Sequence, residues 1–115
     1  MGSFDPTHDL AHNDKLQCAA RGHSLDMIER DFFDHVSPDG GQMTDRAAAV
    51  GYDYYVLGEN IAMGHTNAKE VVDGWMTSDG HCANIMSPEF LELGVGYHDG
   101  EGKPPVWTQV FGSSF

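Results

Sequence analysis

The stretch Gly74 to Met86, GWMTSDGHCANIM, constrains this chain more than any other. Before and into it, Ala68, Val71, Val72, Trp75 and Met76 recur at three- and four-residue intervals, one apolar stripe of a helix. Asn67 and Glu70 stand at capping-box spacing at its start. The helix must then break at Ser78-Asp79-Gly80 and restart as a short helical piece carrying His81, Cys82, Asn84, Ile85 and Met86. A broken helix leaves backbone groups that need partners, while Trp75 and Met76 require a core. The glycine before His81 lets the chain turn sharply and approach another element. Ser87-Pro88 ends the piece.

On the N-terminal side, residues 1–12 are polar and irregular and are expected to be mobile, with Met1-Gly2-Ser3 reading as an appended start. A helix is predicted to begin near Asn13 or Asp14, where Asp14 and Gln17 have capping-box spacing, and to fade near Phe33. Leu16, Ala19, Ala20, His23 and Met27 form its stripe, widened by Ile28 and Phe32. His23 reads as a core-edge histidine satisfied by a backbone carbonyl rather than as a ligand. His35 to Gly40 is a turn, and Thr44 is expected to cap a short helix, Asp45 to Val50, ending at Gly51. Tyr52, Tyr54 and Tyr55 fall in a loop before a strand, Gly58 to Gly64, with Glu59 at its start.

On the C-terminal side, Leu93, Val95 and Tyr97 alternate with Gly94, Gly96 and His98, a strand with one apolar face. Turn residues 99–102 lead to a second strand, Val106 to Phe111, giving a hairpin. Helices that need a surface and a sheet that offers two predict an α+β fold. Its form is a three-layer α-β-α sandwich with a small, mostly antiparallel sheet, one domain over residues 13–115.

A chain of 115 residues is long enough to bury a core without metals or many disulfides. Six basic and eighteen acidic residues give a net charge of -12, which repels phosphate backbones and anionic membrane surfaces and argues against nucleic acid as a partner. No apolar run is long enough to span a membrane. The two cysteines, Cys18 and Cys82, permit either one disulfide or two buried free thiols. A bridge closing so long a loop contributes about 4 kcal/mol in the chain-entropy model.

Three residues are candidates for chemistry: His35, Glu59 and His81, each at a break between elements. Two imidazoles and a carboxylate suit a divalent transition metal, zinc above all, if the fold brings them together. They are too far apart in sequence for a local motif such as HExxH. The alternative is a hydrogen-bonded network that fixes loops over the sheet without a ligand. His8, His12, His65 and His98 read as solvent-exposed bystanders.

The ordered motifs HSLDM (23–27), FFDHVSPDG (32–40), GENIA (58–62), GWMTSDGHCANIM (74–86), LGVGY (93–97) and WTQVFG (107–112) resemble the CAP superfamily of cysteine-rich secretory, antigen 5 and pathogenesis-related proteins. The chain is most similar to its bacterial SCP-like extracellular branch. The resemblance implies an α-β-α sandwich and secretion, and an oxidising compartment favours a Cys18–Cys82 disulfide. It also implies a central cleft in which His35, Glu59 and His81 hold zinc or another divalent ion. Ser78 stands where the family usually has a second acidic residue, leaving three protein ligands and an open position for water. The family usually has more of a leading helix as well. An extracellular binding module, rather than an established enzyme, is the implied function, and its ligand or partner protein is not named by the sequence. The alternatives are a metal-dependent hydrolase, with His35 or His81 as base and Glu59 orienting it, and a sterol- or lipid-binding protein using Tyr54, Tyr55, Phe90 and Leu91.

Overall fold

The computed structural model describes residues 10–114 except Pro88 and Glu101, and for Asp79 and Cys82 the backbone alone. The expectations for the 1–9 lead, for His8, for Pro88 and for the Asp79 and Cys82 side chains lie outside the described residues. In chain order the elements are β1 (Ala11–His12), α1 (Asp14–Glu29), α2 (Met43–Ala49), β2 (Tyr54–Met63), α3 (Ala68–Met76), α4 (Asp79–Met86), β3 (Glu92–His98) and β4 (Val106–Ser114). The strands form one sheet in the order β1-β3-β4-β2, antiparallel except for the parallel β1–β3 pair.

Alternation along the strands sorts the helices into two layers. On central strand β4, Val106 and Val110 pack with Leu16, Ala20, Met27 and Ala47 of α1 and α2. Trp107 and Phe111 point the other way, into a cluster with Val71, Trp75 and Ile85 of α3 and α4. The result is the expected α-β-α sandwich. Both faces of β4 are covered, and residues 106–113 are buried without exception.

Gly94 and Gly96 set the distance between α1 and the sheet. A Cβ on Gly94 would overlap backbone atoms of Leu16 and Gln17, and one on Gly96 would overlap those of Ala20 and Arg21. The helix therefore lies directly on the peptide groups of β3, which only glycine allows.

Several boundaries differ from the sequence expectation, each for a local reason. Residues 11–12 are a strand rather than part of a mobile lead: the Ala11 and Asn13 amides donate to the Leu91 and Leu93 carbonyls at 2.9 and 2.8 Å. The α1 cap is Asn13, whose side chain accepts from the Leu16 amide at 3.0 Å, so Asp14 is the first helical residue. The same helix stops at Glu29, before Phe33. Asp31 takes a left-handed φ of 58°, and the Phe32 amide returns to the Met27 carbonyl, a Schellman ending. Thr44 does not cap α2; Gln42 does, with its amide donating to the Asp45 carboxylate at 2.9 Å. Strand β2 begins at Tyr54, because the ladder to β4 continues past Gly58 through an irregularity between Tyr54 and Val56. Glu59 consequently lies mid-strand.

The expected Cys18–Cys82 disulfide is not formed. Cys18 is a free, exposed thiol on α1, whereas Cys82 belongs to α4 on the opposite face of the sheet. Two helices separated by a sheet layer keep their Cα atoms beyond the short span a disulfide needs. Cys18→Ser should leave the melting temperature unchanged, with or without dithiothreitol. A loss on the scale of a broken bridge, about 2–5 kcal/mol, would show that the two segments pair after all.

Candidate functional site at the edge of β2

β2 is an edge strand, and its outer side lies between the two helical layers. Its outward carbonyls are occupied by side chains: Asn84 Nδ2 donates to the Glu59 carbonyl at 3.3 Å and Trp75 Nε1 to the Ile61 carbonyl at 3.1 Å. The broken helix predicted from GWMTSDGHCANIM supplies both donors. Breaking at Ser78 lets α3 deliver Trp75 and α4 deliver Asn84 to the same strand edge, closing it to strand pairing.

On the α1–α2 side, Glu59 enters the interior with 1% of its side chain exposed. Arg46 of α2 meets it there, Nη2 lying 2.8 Å from Oε2 and 3.1 Å from Oε1. The same Nη2 donates to the His35 carbonyl at 3.0 Å, tying the loop after α1 to the site. His35 Nδ1 lies 2.9 Å from Glu59 Oε1, and its side chain remains about half exposed. His23 is fully buried, as a core residue rather than at the edge, and its Nε2 donates to the Asp34 carbonyl at 2.8 Å. That bond is the backbone satisfaction expected of it, and it anchors the residue preceding His35. His23 Nε2 also stands 3.9 Å from Glu59 Oε1.

On the α3–α4 side, His81 Nδ1 lies 2.9 Å from Ser78 Oγ. Ser78 is the N-cap of α4 but makes no side-chain cap bond to the backbone, so its hydroxyl serves the imidazole. Asn60 ties α4 to the sheet: its Nδ2 donates to the His81 carbonyl and to Gln109 Oε1, both at 3.2 Å. Its Oδ1 accepts from Asn84 Nδ2 at 2.9 Å.

These surroundings set the protonation of the groups. Burial raises the Glu59 carboxyl, but the His35 hydrogen bond and the charges of Arg46 and His23 outweigh it and hold the group below the ordinary glutamate value. The bond to Glu59 raises His35 against the opposing effect of its own burial. His81 is lowered, first by burial and then by the charge of His35, so the two imidazoles sense each other across the strand edge. Burial likewise lowers His23.

Of the three candidates, Glu59 and His35 are bonded directly, and His81 lies on α4 in the other layer, bonded to Ser78. Both Glu59 oxygens are already engaged. Among the described residues no group of three His, Cys, Asp or Glu side chains stands ready to hold a metal ion. Arg46 was missed from the sequence. It is one of only six basic residues and sits in the alanine-rich run DRAAAV, so a buried Glu59 needing a cation is the signal that points to it. The four proposed lipid contacts are divided: Phe90 is buried against Phe111 in the α3–α4 cluster, Tyr54 packs in the α1–α2 cluster, and Tyr55 and Leu91 are exposed. Among the bystander histidines, His12 Nε2 pairs with Asp14 at 2.9 Å.

The profile of the cysteine-rich secretory protein family, CAP, matches residues 6–111. The uncharacterized protein YkwD of Bacillus subtilis is 41% identical over 102 residues, covering 89% of this chain and 38% of YkwD. The uncharacterized membrane protein YlbC of the same organism is 39% identical over 77 residues, covering 67% of this chain and 22% of YlbC. The chain thus spans well under half the length of these relatives. Among solved structures, an extracellular protein containing an SCP domain from Bacillus anthracis aligns with a TM-score of 0.84 at 35% identity, covering 91% of this chain and 34% of that one. An outer surface protein of Borrelia burgdorferi aligns with a TM-score of 0.85 at 17% identity, covering 95% and 81%. The latter likeness concerns the fold alone. Among the described residues no helix is long and apolar enough to cross a membrane.

Proposed function

The chain belongs to the cysteine-rich secretory protein (CAP) family, and from that premise we propose that it is an extracellular binding domain whose β2-edge cleft takes a divalent cation. The observation that carries this reading is the matched state of the two imidazoles. His35 and His81 each have Nδ1 occupied, by Glu59 and Ser78, which makes Nε2 the ring nitrogen that each would offer a ligand. Metal-binding histidines are typically oriented this way, with the other ring nitrogen held by a carboxylate or hydroxyl. Glu59 then stands behind His35 as its orienting partner and Ser78 behind His81, while water completes the coordination. A bound zinc ion supplies a Lewis acid to the cleft. Action outside the cell is supported by the extracellular protein from Bacillus anthracis at 35% identity.

Calorimetric titration of zinc into chelator-stripped protein near neutral pH tests the proposal. One-to-one binding is expected, lost in the His35→Ala, His81→Ala double variant, and weakening as pH falls through the histidine range because ligating imidazoles must be neutral. The raised His35 makes that weakening begin at higher pH than for an ordinary histidine.

One observation favours a second reading, a purely structural network: the carboxylate most expected to bind metal is buried and saturated by Arg46 and His35. Absence of zinc binding, together with a less stable double variant, would establish that reading in place of the first.

A further inference from the structure

The two edges of the sheet are treated differently. The β2 edge is met by Asn84 and Trp75, whereas the opposite edge, β3, is paired among the described residues only at its start. The β1 register ends at His12 opposite Leu93, and among the described residues no strand lies beside Gly94–His98 on that side. The Leu93 carbonyl faces β1, accepting from the Asn13 amide at 2.8 Å. Peptide groups alternate in direction along a strand, so those of Val95 and Tyr97 face the same way, past the end of β1.

The Tyr97–His98 end of this edge lines a groove of about 500 Å³ whose wall is one flank of α1. Asp14, Cys18, Arg21, Gly22 and Leu25 line it at helical spacing, distinct from the Leu16–Ala20–Met27 stripe that packs on the sheet. The close seating of α1 on Gly94 and Gly96 keeps the helix over the face of β3. Tyr97 closes the floor and is 40% exposed. A helix flank beside an open strand edge is the geometry in which domains capture an extended peptide by adding a strand.

We propose that the α1–β3 groove binds an extended polypeptide segment of net positive charge, which pairs with Val95 and Tyr97 and continues the ladder begun by β1. Two features specify the occupant. Ladder groups beside no described strand template an extended backbone, and a segment bound there would continue the parallel pairing that β1 begins. The net charge of -12, with Asp14 and Arg21 lining the groove and Asp99 bonded to the Tyr97 hydroxyl, draws a basic segment and disfavours an acidic one.

The probe is a fluorescein-labelled, acetylated Lys-Val-Lys-Val-Lys-Val peptide, followed by anisotropy at low salt and by amide chemical shifts. Saturable binding is expected, with the largest shifts at Val95 and Tyr97. Methylating alternate peptide nitrogens on one edge should weaken binding at least tenfold, and methylating those of the other edge should not. Val95→Pro should also abolish binding while remaining folded, because proline is accepted on a strand edge whose N–H is unpaired. If that variant unfolds, the methylated peptides still decide. No saturable binding, shifts confined to the β2 edge, or indifference to methylation would overturn the proposal. Equal affinity for the Glu-Val counterpart would overturn the basic partner. Concentration-dependent Val95 and Tyr97 shifts in protein alone would assign the groove to a second copy of the chain instead.

Discussion

Gly94→Ala should prevent α1 from seating on the sheet, and its stability in urea should fall by at least about 3 kcal/mol, above the ordinary range of overpacking. The added methyl overlaps the Leu16 and Gln17 backbone rather than a side chain that can rotate away. Relief requires lifting the helix, and lifting it opens the contacts of Leu16 and Ala20 with Val110 along its whole length. Gly96→Ala should behave alike, one helical turn further on. The control is Gly22→Ala in the same helix, where a Cβ meets nothing within 4 Å. That change should stabilise by about 0.5–1 kcal/mol, because alanine loses less backbone freedom in a helix. A Gly94→Ala protein within 1 kcal/mol of the parent, on the order of an ordinary surface change, would show that α1 is not held by backbone contact.

Arg46→Met should cost about 3–5 kcal/mol at neutral pH, the typical penalty for stranding a buried charge. The Glu59 side chain is 1% exposed, so its charge is not rescued by water where it stands. The pH dependence separates this mechanism from lost packing. In the parent, Glu59 is held below its ordinary value, so its contribution is present above the unfolded glutamate pKa and is lost as pH falls through the folded one. In the variant the His35 bond still opposes burial but the Arg46 charge does not, so the carboxyl is expected to rise from its parent value and protonation relieves the folded state. The deficit should therefore be largest near neutrality and shrink as pH falls below about 4.5, the reference value for a glutamate. Adding Glu59→Gln should recover part of the loss at neutral pH. A deficit that is independent of pH, or no recovery in the double variant, would rule out the buried-charge account.

Much of the architecture was legible from patterning. The α3 stripe, the β3–β4 hairpin and the three layers all follow from periodicities that burial enforces, and the structure has each of them, whereas the break read over Ser78-Asp79-Gly80 is confined to Thr77 and Ser78, α4 starting at Asp79. Boundaries were legible only where the local chemistry was unambiguous. Asn67 caps α3 as read, with Glu70 N–H donating to its side chain at 2.9 Å. Thr44 was read as the α2 cap, but the Asp45 carboxylate reaches back to the Gln42 amide, and the helix starts at Met43 rather than at Asp45. The end of α1 turned on Asp31 adopting a left-handed conformation, which a stripe running through to Phe32 does not reveal.

The sequence by itself determined which residues are available: a helix that must break before His81, glycines opposite an apolar strand face, and three isolated polar side chains beside loops. Periodicity carries that information because each side chain's direction follows from its own backbone. Tertiary structure alone decided who meets whom. It placed Cys18 and Cys82 on opposite faces of the sheet. It also brought Arg46 to Glu59, making a candidate ligand the buried partner of a cation and an imidazole. Such pairings depend on contacts between residues distant in the chain, and a charge buried by one element must be answered by whatever another element delivers to the same dry volume.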